Sequence, residues 1–400
     1  MKTFWTRTIA ATLLGATLAA TSTPAGAWTG LTAFDAGRFK SNLTGELVEK
    51  SVGAAFAIYR NGAEQEVDWR GYAVKPSHPM LPETRFNLMG MSKTITAVAV
   101  MKALDIAQAR GEHVSIHSPI APYLPPSWAR GRDVWRMTFR DLLRHESGLR
   151  AVGPGDPDRY GNLRATIARG AVTGPLGLPA YGRYAYCNCN FALMRVLIPR
   201  LLAEQDGFSD PFFLDELTGM GDEVALAYVD FVRERLLAPL GIDATVGRSG
   251  PAPYTRYYNY ANPLIYMPAD PMGLDAVRRA GAGHWYMSVR ELAIFLARLR
   301  MGHIISPGSF QLMTTHELGL YRVGDAATAE HGGDYLTHNG FMSHGNPAPN
   351  DANNAGAHAA WMMFPNGVTA VLFHNADQTS LDDPMWILKR AFEGAFVSPF

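Results

Sequence analysis

Three short clusters hold the side chains of this chain best suited to chemistry at a carbonyl: Gly90-Met91-Ser92-Lys93, Tyr186-Cys187-Asn188 and His338-Asn339-Gly340. Lysine, tyrosine and histidine are the groups that move protons when an ester or amide is attacked. A hydroxyl one turn before a lysine would share its helix face and could pass it a proton while attacking. The residue three before Lys93 is Gly90, which has no side chain to supply that hydroxyl. Ser92 directly precedes Lys93, so on a helix it points about 100° away and reads as a first-turn cap or packing residue. Cys187 carries a stronger nucleophile than a hydroxyl, but its place between Tyr186 and Asn188 also suits a small space-filling residue. Both remain open as substitutes. His145, His303, His344, His358 and His374 show no metal-ligand spacing and read as solvent or packing residues. Cys187 and Cys189 lack the further Cys and His of a zinc site, so neither metal nor cofactor is called for.

The elements that must position these clusters follow from the pattern around them. Residues 52–74 read as a hairpin, with an apolar strand ending at Tyr59, an Asn61-Gly62 turn and a return strand from Gln65 to Val74. Ser92 to Arg110 reads as a helix whose middle is apolar on nearly every side, hence buried, stopped at Gly111. Residues 119–277 change character: proline and glycine punctuate helical stretches at Phe139–His145, Asn190–Leu202 and Glu223–Leu237. Beyond them come a helix at Leu292–Leu299, strands at Tyr335–His338, Ala359–Phe364 and Val368–His374, and a terminal helix at Pro384–Phe396. Asn346–Asn354 reads as an exposed loop. The fold class is therefore α/β (α+β). An antiparallel sheet flanked by helices is built from both chain ends, residues 28–118 and 278–400, and residues 119–277 form a mainly helical lobe. A site would lie where the two meet.

In their order and spacing the clusters resemble the serine beta-lactamase and penicillin-binding-protein superfamily, nearest to class C beta-lactamases, D,D-peptidases and related esterases. There a Ser-x-x-Lys opens the central helix, a Tyr-x-Asn lies in the helical lobe and a Lys/His-x-Gly lies on a sheet strand. Leu142-Leu143-Arg144-His145-Glu146-Ser147-Gly148-Leu149, Pro239-Leu240-Gly241 and the Pro365–Asn375 strand pair look like further family segments. The resemblance implies that the nucleophilic serine position is Gly90. It implies that Tyr186, made a phenolate by Lys93, shuttles a proton to the leaving group. Asn188 would bond both Lys93 and the substrate, and His338 would bind a substrate carboxylate or relay a proton. Gly340 would let its strand approach the ligand, with Ser92 and Cys187 supporting the cleft. The oxyanion hole would use the backbone N–H groups of Gly90 and Phe341, which survive loss of the serine.

The chain's 36 basic and 36 acidic side chains leave no electrostatic footprint for nucleic acid. Lys2 and Arg7, the apolar stretch Ile9–Ala20 and the small residues Ala25-Gly26-Ala27 read as a cleaved signal peptide over residues 1–27, too short and Thr-rich for a membrane anchor. The mature protein is then expected to be periplasmic or secreted, with no membrane span. In such a compartment cysteines pair, yet a bridge between positions two apart looks badly strained, so no disulfide is expected. Three readings follow. The first is an impaired pseudoenzyme that binds peptidoglycan-like peptides, beta-lactams or esters. The second is an active hydrolase using water, Ser92 or Cys187. The third is a scaffold acting through the Glu204–Leu226 insertion.

Overall fold

The computed structural model describes residues 33–397 apart from 154, 175–176, 204–211, 249–252, 268–271, 345–353 and 378. The segment read as a signal peptide, the first part of the Glu204–Leu226 insertion and residues 346–353 of the loop read at Asn346–Asn354 lie outside the described residues, and Asn354, read as exposed, is buried. Five long strands form the heart of the sheet: β1 (Gly53–Arg60), β2 (Ala63–Val74), β3 (Tyr335–His344), β4 (Ala355–Met363) and β5 (Val368–His374). Their order is β3-β4-β5-β1-β2, every neighbouring pair antiparallel. The amino-terminal hairpin thus docks against the carboxy-terminal strands, as the split pattern of the sequence requires. Asn61 and Gly62 both take positive φ, 49° and 85°, the backbone that a tight two-residue hairpin turn needs.

The unbroken apolar run of β1 has a direct cause. Successive strand residues face opposite sides of a sheet, and here both sides are covered. Ala54, Phe56 and Ile58 pack with α1 (Ala36–Leu47), while Ala55, Ala57 and Tyr59 face the larger core. The first face is closed by the terminal helix, whose Phe392 stacks on Phe364 at 3.8 Å between ring centroids.

The larger core surrounds the central helix α2 (Ser92–Ala109), in which every residue from Ser92 to Met101 is buried. Such a helix must satisfy its polar groups internally. Thr94 donates to the Gly319 carbonyl at 2.8 Å, and Thr96 donates to the Gly281 carbonyl at 2.6 Å. Against α2 pack α4 (Met194–Leu202) and α5 (Asp222–Val232) of the helical region, with α3 (Asn188–Ala192) leading into α4. On the sheet side lies α6 (Val289–Arg300), opened by a reciprocal cap between Ser288 and Glu291.

Arg195 of α4 is fully buried and ties two loops together, donating to the Ala280 carbonyl at 2.7 Å and to the Asp158 carbonyl. Arg195→Met is expected to lower unfolding stability by about 3 kcal/mol, since both carbonyls lose a buried charged donor. Chemical denaturation would measure this, and an unchanged midpoint would contradict the assigned role.

Candidate active-site cleft

The approach to α2 determines what the cleft can do. Residues Met89–Met91 form one tight helical turn before Ser92. Met89 holds a left-handed φ of 51°, and its N–H donates to the Asn87 side chain at 2.8 Å. This turn presents Gly90 to β3, and the approach is close on both sides. A Cβ built on Gly90 would lie 2.9 Å from the Asn339 carbonyl oxygen and 3.3 Å from Cε1 of His338. A Cβ on Gly340 would lie 2.8 Å from the Leu88 carbonyl oxygen. Two facing glycines therefore let turn and strand meet at a distance that side chains would prevent.

Around this contact opens a cavity of about 430 Å³ lined by Gly90, Lys93, Tyr186, Asn188, His338 and Gly340, together with Phe341 and Asp158. Three clusters distant in sequence thus share one cleft. Ser92 is not among its lining residues. Its buried hydroxyl accepts the Trp285 N–H at 3.3 Å, which ties the start of α2 to the strand Trp285–Met287.

Lys93 lies beneath the cleft floor, 2% exposed. Its Nζ donates to the Ala282 carbonyl at 3.0 Å and sits 5.3 Å from the Tyr186 ring centroid and 6.0 Å from that of Phe191. Burial pushes its pKa down to about 8, against the opposing pull of Asp158. The amine is thereby closer to a proton acceptor at neutral pH than an ordinary lysine.

Several expectations need correction. Tyr186 is not disposed as a phenolate: its hydroxyl donates to Oδ1 of Asn188 at 2.8 Å. Although the side chain is about half exposed (54%), desolvation of its hydroxyl end, followed by the neighbouring Tyr321 and Asp158, pushes its pKa up to about 12. The Lys93 amine faces the ring and not the hydroxyl, so it adds a cation–π contact without stabilising an oxyanion there. Asn188 is engaged by Tyr186, and the hydrogen bond of Lys93 goes to Ala282 instead.

Cys187 and Cys189 are joined in a disulfide, against the expectation of unpaired cysteines. The chain switches at this point from extended backbone at Cys187 to the first turn of α3, which brings the two Cα atoms to 5.2 Å. That lies within the normal range for a bridge; a uniform strand would hold the two Cα atoms about 6.6 Å apart, and a uniform helix would point the two side chains to opposite sides. No free thiol is left at Cys187 for attack.

His338 is buried, and its Nδ1 lies 2.6 Å from the Asn339 carbonyl oxygen. A carbonyl only accepts, so Nδ1 carries the proton and Nε2 is the free acceptor. Burial, reinforced by Lys93, pushes its pKa down to about 3. The ring is neutral at physiological pH, which favours proton relay or hydrogen bonding over pairing with a carboxylate. Tyr321 packs on it at 4.7 Å.

The sequence reading gave His145 no place near the site. Its ring lies 4.7 Å from that of Tyr186, and its Nδ1 accepts the Cys187 N–H at 3.3 Å and faces Nδ2 of Asn190 at 3.1 Å. It positions the Tyr186-Cys187-Asn188 segment from below, kept neutral by burial at a pKa near 4. The match of residues 142–149 to a family segment was the available signal. His145→Ala is expected to weaken cleft binding through loss of Tyr186 order. An unchanged near-ultraviolet circular dichroism signal together with unchanged ligand affinity would count against it. Asp158, inside the Asp156-Pro157-Asp158 loop, left no pattern in the sequence.

A family model described as Beta-lactamase matches residues 41–393. No curated protein matches the chain by sequence. Among solved structures, the octameric penicillin-binding protein homologue from Pyrococcus abyssi superposes with a TM-score of 0.62 at 18% identity, over 89% of this chain and 76% of that one. FmtA from Staphylococcus aureus gives 0.62 at 16% identity, over 91% and 92%. D-amino acid amidase from Ochrobactrum anthropi SV3, complexed with L-phenylalanine, gives 0.59 at 19% identity, over 89% and 96%. At these identities the likeness is one of fold. Among the described residues no helix is long and apolar enough to cross a membrane.

Proposed function

Because the chain belongs to the beta-lactamase family, we propose that it is an exported protein whose cleft binds peptide, beta-lactam or ester ligands without forming an acyl-enzyme. The observation that carries this reading is the contact at Gly90. No nucleophilic atom stands there, and β3 crowds the position, its Asn339 carbonyl oxygen lying 2.9 Å from where a Cβ would sit, while Lys93, Tyr186, Asn188 and His338 remain gathered around it. A covalent acyl intermediate needs an attacking side chain. Gly90 and Phe341 both line the cleft, which suits retained recognition of a carbonyl oxygen.

The other routes to hydrolysis find less support. Ser92 is directed at Trp285, Cys187 is bridged, and Tyr186 is held protonated away from the Lys93 amine. Export is supported by the charge and apolar pattern of residues 1–27, and a cysteine pair closed as a disulfide suits an oxidising compartment. The scaffold reading has one observation of its own: Phe213, Leu214 and Leu217, in the described part of the insertion, are all more than half exposed.

Calorimetric titration with a penicillin, a D-Ala-D-Ala peptide and a short ester tests the proposal. At least one is expected to bind saturably, and Tyr186→Ala, which strips an aromatic face from the cleft, to weaken it about tenfold. No binding by any of the three, or binding indifferent to Tyr186, would move the function away from the cleft.

A further inference from the structure

One carboxylate in the cleft has no part in the chemistry considered so far. Asp158 lines the cavity with Lys93, Tyr186 and Asn188, and among the described lining residues it is the one acid. Its Oδ1 is shielded from solvent and has no hydrogen-bond partner. The cations around it are committed elsewhere: the Lys93 amine donates to the Ala282 carbonyl, and Arg195 donates to the Ala280 carbonyl and to the backbone of Asp158. Arg279 pairs with Asp156 at 3.0 Å. A carboxylate short of donors and largely withdrawn from water is unfavourable, and a cationic ligand seated against it lowers that cost.

We propose that Asp158 is the recognition point for an ammonium group on the ligand, so that the cleft selects amine-bearing amides or esters over the same skeletons without the amine. This rests on the reading of the cleft as a ligand site and adds its selectivity. Burial pushes the acid up to about 6, with Arg195 and Lys93 pulling the other way, so the group is largely ionised at pH 7. The loop that carries it is held by Arg195 from below and by its own N–H donating to Oδ1 of Asp156 at 2.9 Å. It is a fixed charge and not a mobile surface acid. A primary ammonium seated in the cleft against Asp158 gives this carboxylate a charge-assisted hydrogen bond. A role as mere counter-ion to Lys93 predicts no such selectivity.

The test compares phenylalanine amide with 3-phenylpropanamide, which differs by loss of the amine, using calorimetry on the whole mature chain at pH 7. The amine-bearing probe is expected to bind about tenfold tighter, and in Asp158→Asn the ratio of the two affinities is expected to fall to about one. Equal affinity of the two probes for the unmodified chain, which needs no variant to be folded, overturns the proposal and leaves the cleft reading standing. A preference that survives Asp158→Asn does the same. Binding of neither probe overturns the proposal, and failure of the penicillin, peptide and ester as well would remove the cleft reading beneath it.

Discussion

Gly90→Ser is expected to give a protein that takes up an acyl group from an activated penicillin or a nitrophenyl ester at least about 10³-fold faster than the chain as it stands. In a serine hydrolase, loss of the nucleophile removes about 10⁶ in turnover and leaves the contribution of binding and oxyanion stabilisation. Here the surroundings of position 90 are in place. Lys93 follows one helical turn later, with its pKa drawn down to about 8, so it can receive the hydroxyl proton. The gain falls short of the full factor for two reasons. Tyr186 stays protonated on Asn188, which slows deacylation, and a Cβ at position 90 meets the Asn339 carbonyl at 2.9 Å. β3 must retreat by a few tenths of an ångström, so the variant should also melt lower. Gly90→Ala separates the two effects: it should lose the same stability and take up no acyl group. A Gly90→Ser protein that binds ligand, remains folded and never acylates would show that more than the serine has been lost.

Lys93→Met is expected to stabilise the protein, by about 2 kcal/mol at pH 7. An ordinary lysine titrates near 10.5, and burial brings Lys93 to about 8. Between those values the unfolded chain holds more protons than the native one, so native stability rises as pH increases from 8 towards 10.5. Below pH 8 the buried ammonium carries its full cost, about 3 kcal/mol for a shift of this size. Methionine has similar bulk and no charge to desolvate, and it forfeits about 1 kcal/mol by leaving the Ala282 carbonyl without its donor. The advantage should shrink as the pH approaches 10. Urea denaturation at pH 7 and pH 9.5 measures both parts. A destabilised Lys93→Met at pH 7 would mean that the amine is held by stronger partners than Ala282 and the two rings. A group kept in the core at a cost to stability is what a site retained for binding would contain.

The sheet was legible because its chemistry is local and repetitive. The Asn61-Gly62 turn and the apolar run of β1 each follow from a few neighbouring residues, and the split of strands between chain ends is a matter of order. The gathering of Gly90, Lys93, Tyr186, Asn188 and His338 was legible through family resemblance, since no periodicity links residues so far apart. What escaped was set by three-dimensional surroundings. The direction of the Lys93 amine depends on the Ala282 carbonyl, almost two hundred residues on. The protonation of Tyr186 depends on which neighbour its hydroxyl meets. The Cys187–Cys189 bridge depends on backbone turning from extended to helical between them. Asp158 matters only because the loop carrying it is tied down by Arg195.

The decisive property of this protein is whether any of its side chains attacks a carbonyl. Intact-mass spectrometry of the unmodified protein, after prolonged incubation with a saturating chromogenic beta-lactam and with an activated ester, addresses that directly. The expected result is a mass unchanged by either reagent and chromophore release no faster than in buffer, from a protein that calorimetry shows to be occupied. A stoichiometric acyl adduct, or turnover at the roughly 1–10³ per second typical of enzymes, would contradict it.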